Sequence, residues 1–202
     1  MRFVTPLIRT ALLALLCLPA LLNAQLPRTV ILVNGGNFAD TTDATTVAAW
    51  NVAAQNYFIF DTIPANSVQD VLVDVEFAYV AAEGILYKYN IDNYTLVDTV
   101  SAPGVRSLAL APNQDYVVAA CGFPVSADFV RAYNKSDLSL AGIVDSVAGD
   151  CQGIIVVNDT AYVTCPGPFG NTTGQVDLVD LNTLTKFAEI DLDTLGEGIG
   201  SI

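Results

Sequence analysis

Histidine is absent from the 202 residues, and only 8 lysines and arginines stand against 21 aspartates and glutamates. Without imidazole the chain holds no Ser-His-Asp or Cys-His nucleophile pair and no imidazole-bound zinc. The shortage of basic side chains, with a net charge of −13, excludes a nucleic-acid binder. No basic stripe offsets the repulsion from a phosphate backbone or an anionic headgroup. Helical periodicity is almost missing, and no stretch after residue 24 is apolar enough to span a membrane. There is no P-loop, no Cys-x-x-Cys pair and no sialidase-type Asp box, so the cofactor question stays open.

What is present begins with an address. Arg2 and Arg9 precede an apolar run from Ala11 to Leu22, broken by Pro19, and Leu22-Asn23-Ala24 ends in the small residue expected before signal-peptidase cleavage. A run of that length rises only ~18 Å as a helix, short of the ~30 Å hydrocarbon layer. Residues 1–24 therefore read as a signal peptide, and residues 25–202 as a mature chain that is secreted, periplasmic or on the cell surface. Cleavage leaves 6 basic and 21 acidic groups in 178 residues, a net charge of −15. It also leaves three cysteines, Cys121, Cys151 and Cys165, an odd number for an oxidising compartment.

The mature chain is a repeat of short, β-branched and aromatic segments punctuated by Gly, Asn, Asp and Pro. Trp50-Asn51, Tyr89-Asn90, Tyr133-Asn134 and Val179-Asp180 each end a predicted strand, at spacings of 39, 44 and 46 residues. A second landmark precedes them: Val30 to Val33, Ala78 to Ala81, Tyr116 to Ala119 and Ala161 to Thr164. A third comes earlier still: Val71 to Val73, Leu108 to Leu110 and Ile154 to Val156. Each unit reads as four antiparallel strands, a to d. That makes the fold class all-β, a β-propeller of four-stranded blades, because one twisted sheet of this size needs neighbours on both faces. The predicted blades are 29–66, 67–103, 104–149 and 150–196, with another starting at 197. The first begins at strand b, while Gly198 to Ile202 match the start of a strand a, so a final strand could complete the first blade. Four blades is the small end of the range, and the expectation is an amino-terminal part of a larger ring.

Leu32-Val33-Asn34-Gly35-Gly36-Asn37-Phe38 after a signal peptide, Ser67-Val68-Gln69-Asp70 leading into a strand, and Ile85-Leu86-Tyr87-Lys88-Tyr89-Asn90 together resemble the secreted YncE-like β-propellers of Bacteroidota. The resemblance runs from about Thr29 to the end and implies a surface-layer or cell-surface binding protein. It also implies O-glycosylation at Asp-Ser/Thr pairs such as Asp61-Thr62 and Asp98-Thr99. The residues themselves favour a simpler role for those aspartates, that of keeping exposed blade edges from pairing.

The long b-to-c loops, Asn34 to Thr45, Gly122 to Asp128 and Pro166 to Thr173, carry Phe38, Phe123 and Phe169. Gln69, Arg106 and Gln152 align at the start of strand a, where polar groups repeated around an axis can ring a channel mouth. Gln69, Asp70, Arg106 and Gln152, with the three phenylalanines, are the expected binding residues, facing a small molecule, a glycan or a surface protein. Paired acids such as Asp40 with Asp43 lack the glycine and terminal glutamate of a calcium loop, and no metal is assigned. Cys151 and Cys165 are symmetric about Asn158 and could form a disulfide, and Cys151 could equally pair with Cys121 one blade earlier. The preferred reading is a non-enzymatic binding module or scaffold. Its rivals are a propeller enzyme, lactonase-like or a metal-assisted hydrolase, and a purely structural envelope protein.

Overall fold

The computed structural model describes residues 29–200 except 38, 41 and 148. The signal-peptide reading of residues 1–24 lies outside the described residues. Among the described residues fifteen strands run from β1 to β15, in sequence order: Thr29–Asn34, Thr45–Asn51, Asn56–Ile63, Val68–Val73, Phe77–Ala82, Ile85–Asn90, Thr95–Ser101, Val105–Ala111, Tyr116–Cys121, Val130–Asn134, Leu140–Ile143, Gly153–Val157, Thr160–Cys165, Gln175–Asp180 and Thr185–Asp191. They form one three-stranded sheet, β1-β2-β3, and three four-stranded sheets, β4 to β7, β8 to β11 and β12 to β15. Every pairing within a sheet is antiparallel between consecutive strands. These are β-propeller blades, and among the described residues the first shows strands b to d.

Three hydrophobic cores hold the blades together, one at each seam. Between the first and second sheets lie Val47, Ile63, Ala78, Val80, Tyr87 and Tyr89. Between the second and third lie Tyr79, Leu86, Leu108, Val117, Ala119 and Tyr133. Between the third and fourth lie Val118, Ala120, Val130, Ala161, Val163 and Val179. Strand b thus serves two seams at once. In β9, Val117, Ala119 and Cys121 face the second blade, while Val118 and Ala120 face the fourth. That is why strand b reads as an unbroken run of small apolar residues instead of an alternation.

The landmark at the end of strand c is a turn device. The side-chain oxygens of Asn51, Asn90 and Asp180 accept from the amides of Ala54, Asp92 and Asn182 at 2.9, 3.0 and 2.9 Å, closing the c-to-d hairpin as Asx turns. Four residues past each landmark the backbone turns left-handed, at Gln55, Tyr94, Leu138 and Leu184, all with positive φ. Non-glycine residues pay roughly 1–2 kcal/mol for that conformation, and the same position bears it in all four blades.

Polar links cross the seams as well. Asp70 accepts from Ser107 Oγ at 3.1 Å and from the Leu108 amide at 2.7 Å, tying strand a of the second blade to that of the third. Asp61, read from sequence as an edge guard, accepts from Tyr89 Oη at 2.8 Å across the first seam, so for this residue the edge reading gives way to an anchor. Lys135 bridges the second seam to Asp74 at 2.8 Å. Burial favours the neutral Asp74 acid, but the bonds from Lys135 and from the Glu76 and Phe77 amides prevail and hold its carboxyl below the usual range.

Two outcomes follow. Asp70→Ala strands a backbone amide at a packed seam and is expected to lower unfolding free energy by about 2 kcal/mol, read from denaturant midpoints. Burial, helped by the charges of Asp74 and Asp61, raises the Tyr79 and Tyr89 phenols well above their ordinary value. An unfolded chain releases those protons near pH 10 while the fold retains them, so stability is full below about pH 10 and is lost as pH rises further. Tyr89→Phe should flatten that alkaline limb in a pH series of thermal melts.

Candidate functional site

The ends of strands b and the starts of strands a gather on one face of the blade array. There the ladders contain a repeated irregularity. In the β4–β5 pair Val68 faces Ala82 and Asp70 faces Ala81, leaving Gln69 as an extra residue. In the β8–β9 pair Val105 faces Cys121 and Ser107 faces Ala120, leaving Arg106 as the extra one. A β-bulge takes one side chain out of the in-out alternation and re-aims it. Gln69 and Arg106, aligned by sequence, are the bulged residues of these two a-to-b ladders, and both line one cavity of about 390 Å³ with Ser67, Glu83, Pro103 and Phe123.

The cavity is held in shape by its own polar groups. Gln69 donates to Ser67 Oγ at 3.0 Å and accepts the Glu83 amide at 2.8 Å. Arg106 Nη2 donates to the Phe123 carbonyl at 2.7 Å, and the Phe123 amide donates to Asp150 Oδ1 at 2.5 Å. These two bonds fix the loop tip while the Phe123 ring stays 71% exposed. Gly104 at the rim has φ of +76°, and a Cβ there would lie 2.4 Å from the Gly122 carbonyl, so only glycine lets the two loops approach.

Gln152 behaves differently. It precedes β12 without a bulge, its amide donating to the Thr164 carbonyl at 2.9 Å. It lines a second cavity, of about 520 Å³, with Asp150, Phe169, Asn171 and Gly198. Phe169 is fully exposed at the tip of its loop. Asn171 bonds the Pro166 and Thr173 carbonyls at 2.9 and 2.7 Å and braces that loop. The seven residues expected at a single mouth therefore fall into separate groups. Gln69, Arg106 and Phe123 meet at the first cavity, and Gln152 and Phe169 at the second. Asp70 lines neither, since its carboxylate is engaged in the seam. Phe38 lies outside the described residues. The sequence did not mark Glu83, Ser67, Asp150 or Asn171 as binding residues; only their position in the b-to-c and d-to-a connections pointed to them.

A third hollow, of about 380 Å³, opens among the turns at Asp74, Glu76, Asp115 and Lys135. Its lysines are engaged: buried Lys88 donates to the Lys135 and Ser136 carbonyls and stacks 4.0 Å over the Phe77 ring, and Lys135 pairs with Asp74 and Asp115. That is internal bracing. Among the described residues no group of three or more Asp, Glu, Cys or His is placed to hold a metal ion. Among them too, no helix is long and apolar enough to cross a membrane.

Cys151 and Cys165 are joined by a disulfide with a Cα–Cα distance of 4.1 Å. The β12–β13 ladder sets Gly153 against Thr164, one residue off the symmetry about Asn158, and the bridge forms where the strands leave that ladder. Cys121 is a buried free thiol facing the other seam. Burial pushes its pKa up to about 11.

No family model matches the chain. It is 36% identical over 72 residues to the uncharacterized protein YwhL of Bacillus subtilis (strain 168), covering 36% of this chain and 14% of that protein. Among solved structures it is similar to the Kuenenia stuttgartiensis hydrazine synthase, with a TM-score of 0.62 and 11% identity over 73% of this chain and 43% of that one. It is also similar to the WD40 repeats of RRP9, with a TM-score of 0.55 and 9% identity over 79% and 44% of the two chains. The chain thus spans less than half the length of these relatives. At such identities the likeness shows the fold alone, that of β-propeller blades.

The cysteine arrangement gives a direct check. Peptide mapping without reduction should recover Cys151 joined to Cys165. Iodoacetamide should leave Cys121 unmodified until denaturant is added, and rapid labelling of the native protein would mean that the second seam opens.

Proposed function

We propose that this protein is a secreted or cell-surface binding module that takes a polar, uncharged ligand of the glycan class on its loop face. The observation that carries this reading is the pair of bulges that turns Gln69 and Arg106 into one cavity beneath an exposed Phe123 ring. A flat apolar ring beside planar amide, guanidinium and carboxylate groups offers a pyranose both its needs: a stacking surface for the C–H face and in-plane partners for the hydroxyls. Arg106 and Glu83 at the same cavity offset each other, which favours a neutral ligand over an anion. The loop at Phe169 with Gln152 and Asn171 repeats that chemistry one blade further on and makes a chain-like ligand the better fit. The leader-like first 24 residues and the resemblance to secreted YncE-like propellers support an address outside the cytoplasm.

Saturation-transfer NMR with chitotriose, xylotriose and mannotriose tests this. At least one should receive saturation from the protein. Phe123→Ala, or Arg106→Ala with Gln152→Ala, should weaken that binding about tenfold, the effect of losing roughly 1.4 kcal/mol of contact. Absence of transfer to all three, or transfer that ignores these changes, would refute the assignment.

A further inference from the structure

Most polar groups in the wall of the first cavity are spent on one another. Both ends of the Gln69 amide are engaged, its nitrogen on Ser67 Oγ and its oxygen on the Glu83 amide. Glu83 uses Oε1 to accept the Asn66 amide at 3.0 Å, which leaves its Oε2 as an acceptor on an exposed residue of the lining.

Arg106 is the exception. Its Nη2 holds the Phe123 carbonyl, but its Nε is buried and has no hydrogen-bond partner among the described residues. A buried donor without an acceptor is costly, and more so on a charged group in a low-dielectric wall. The bulge fixes this side chain in the cavity lining, so the orphaned donor is held there by the ladder itself. Gln69, bulged in the same way one blade earlier, carries no such orphan.

The other side of the lining is apolar, with Pro103, Val105 and Pro124 next to the Phe123 ring. A cavity of about 390 Å³ thus offers one unsatisfied donor, one open acceptor and a hydrocarbon wall, and its size falls within the roughly 300–1,000 Å³ of small-ligand sites. A sugar hydroxyl would use the donor and the acceptor but not the wall. A carboxylate would suit Arg106 and be repelled by Glu83. A secondary amide bearing a methyl group uses all three, because its carbonyl accepts, its N–H donates and its methyl is apolar.

We propose that this cavity is a subsite for an N-acetylated amino sugar, an inference that rests on the glycan reading above and narrows it. The acetamido carbonyl accepts from Arg106 Nε, the acetamido N–H donates to the Glu83 carboxylate, and the methyl packs on Pro103, Val105 and Pro124 while the pyranose lies on Phe123. The second cavity has Gln152 at the aligned position, so the preference for the acetyl group belongs to the first cavity alone.

Isothermal titration calorimetry with N-acetylated chitotriose and with cellotriose tests this, since the two share a linkage and differ in carrying an acetamido group or a hydroxyl. A site built to hydrogen-bond a substituent rejects the analogue lacking it, and the wild-type protein should prefer the acetylated sugar by about tenfold or more. Arg106→Lys keeps the charge and removes the Nε–H, and should bring the ratio of the two affinities to about one. Phe123→Ala should weaken both sugars and keep the ratio. A wild-type ratio near one, or a ratio that Arg106→Lys does not move, would overturn the acetyl assignment, while binding of cellotriose, xylotriose or mannotriose would leave the glycan reading standing. Failure of chitotriose and of those three to bind would remove both. N-acetyl-alanyl-alaninamide carries the same amide without a pyranose; its competing as well as chitotriose would assign the cavity to a peptide and overturn the proposal.

Discussion

The interaction on which the structure depends is the burial of each blade against its neighbours. A single four-stranded sheet has two faces and no interior, so none of the blades could bury its own apolar residues. The three seams, centred on Tyr89, Tyr133 and Val179 of successive strands c, supply that interior between sheets. Burying side chains of this size contributes about 1.5–3 kcal/mol each, which outweighs the polar links that cross the same seams. Asp70, Asp61 and Asp74 then fix how far one blade slides on the next. Their carboxylates are satisfied by a hydroxyl, an amide, a phenol or a lysine, so none is left as an unpaired buried charge.

Much of this architecture was legible in the sequence because the repeated landmarks have physical jobs. Asn51, Asn90, Asn134 and Asp180 recur because strand c needs an acceptor or donor at its end to close the hairpin, and a short amide or carboxylate fits there. Strand b is legible because it is buried on both sides. The left-handed turns at Gln55, Tyr94, Leu138 and Leu184 were not legible. Glycine would have announced them, but the hairpin imposes the conformation on ordinary residues. The purpose of Asp61 was also hidden, since its partner Tyr89 lies one blade away and only the packing brings them together.

On the loop face, alignment identified Gln69, Arg106 and Gln152 as equivalent, and the loop phenylalanines as too exposed for a blade interior. What separated these residues into two cavities was the ladder. Two of the three positions are bulged, and the third is not, a distinction that depends on whether strand a pairs as far as its first residue. Nothing in the local composition of Gln152-Gly153 sets it apart from Arg106-Ser107 in that respect. Asp70 adjoins Gln69 in sequence but points into the seam, because the bulge changes the facing of one residue only.

The meander order of the strands carries a further consequence, for the way the chain acquires its shape. Among the described residues every ladder joins strands that are neighbours in sequence, and every seam joins neighbours in the array, so these sheets can form without waiting for a distant part of the polypeptide. Closing short loops carries a small entropic cost, and such a chain can assemble in the order in which it is synthesised. Each new sheet finds the previous one already in place as a template. The disulfide between Cys151 and Cys165 belongs to the last of these sheets, and its two sulfurs meet as soon as the β12–β13 hairpin forms. Cys121 is turned into the preceding seam and buried there, away from that pair.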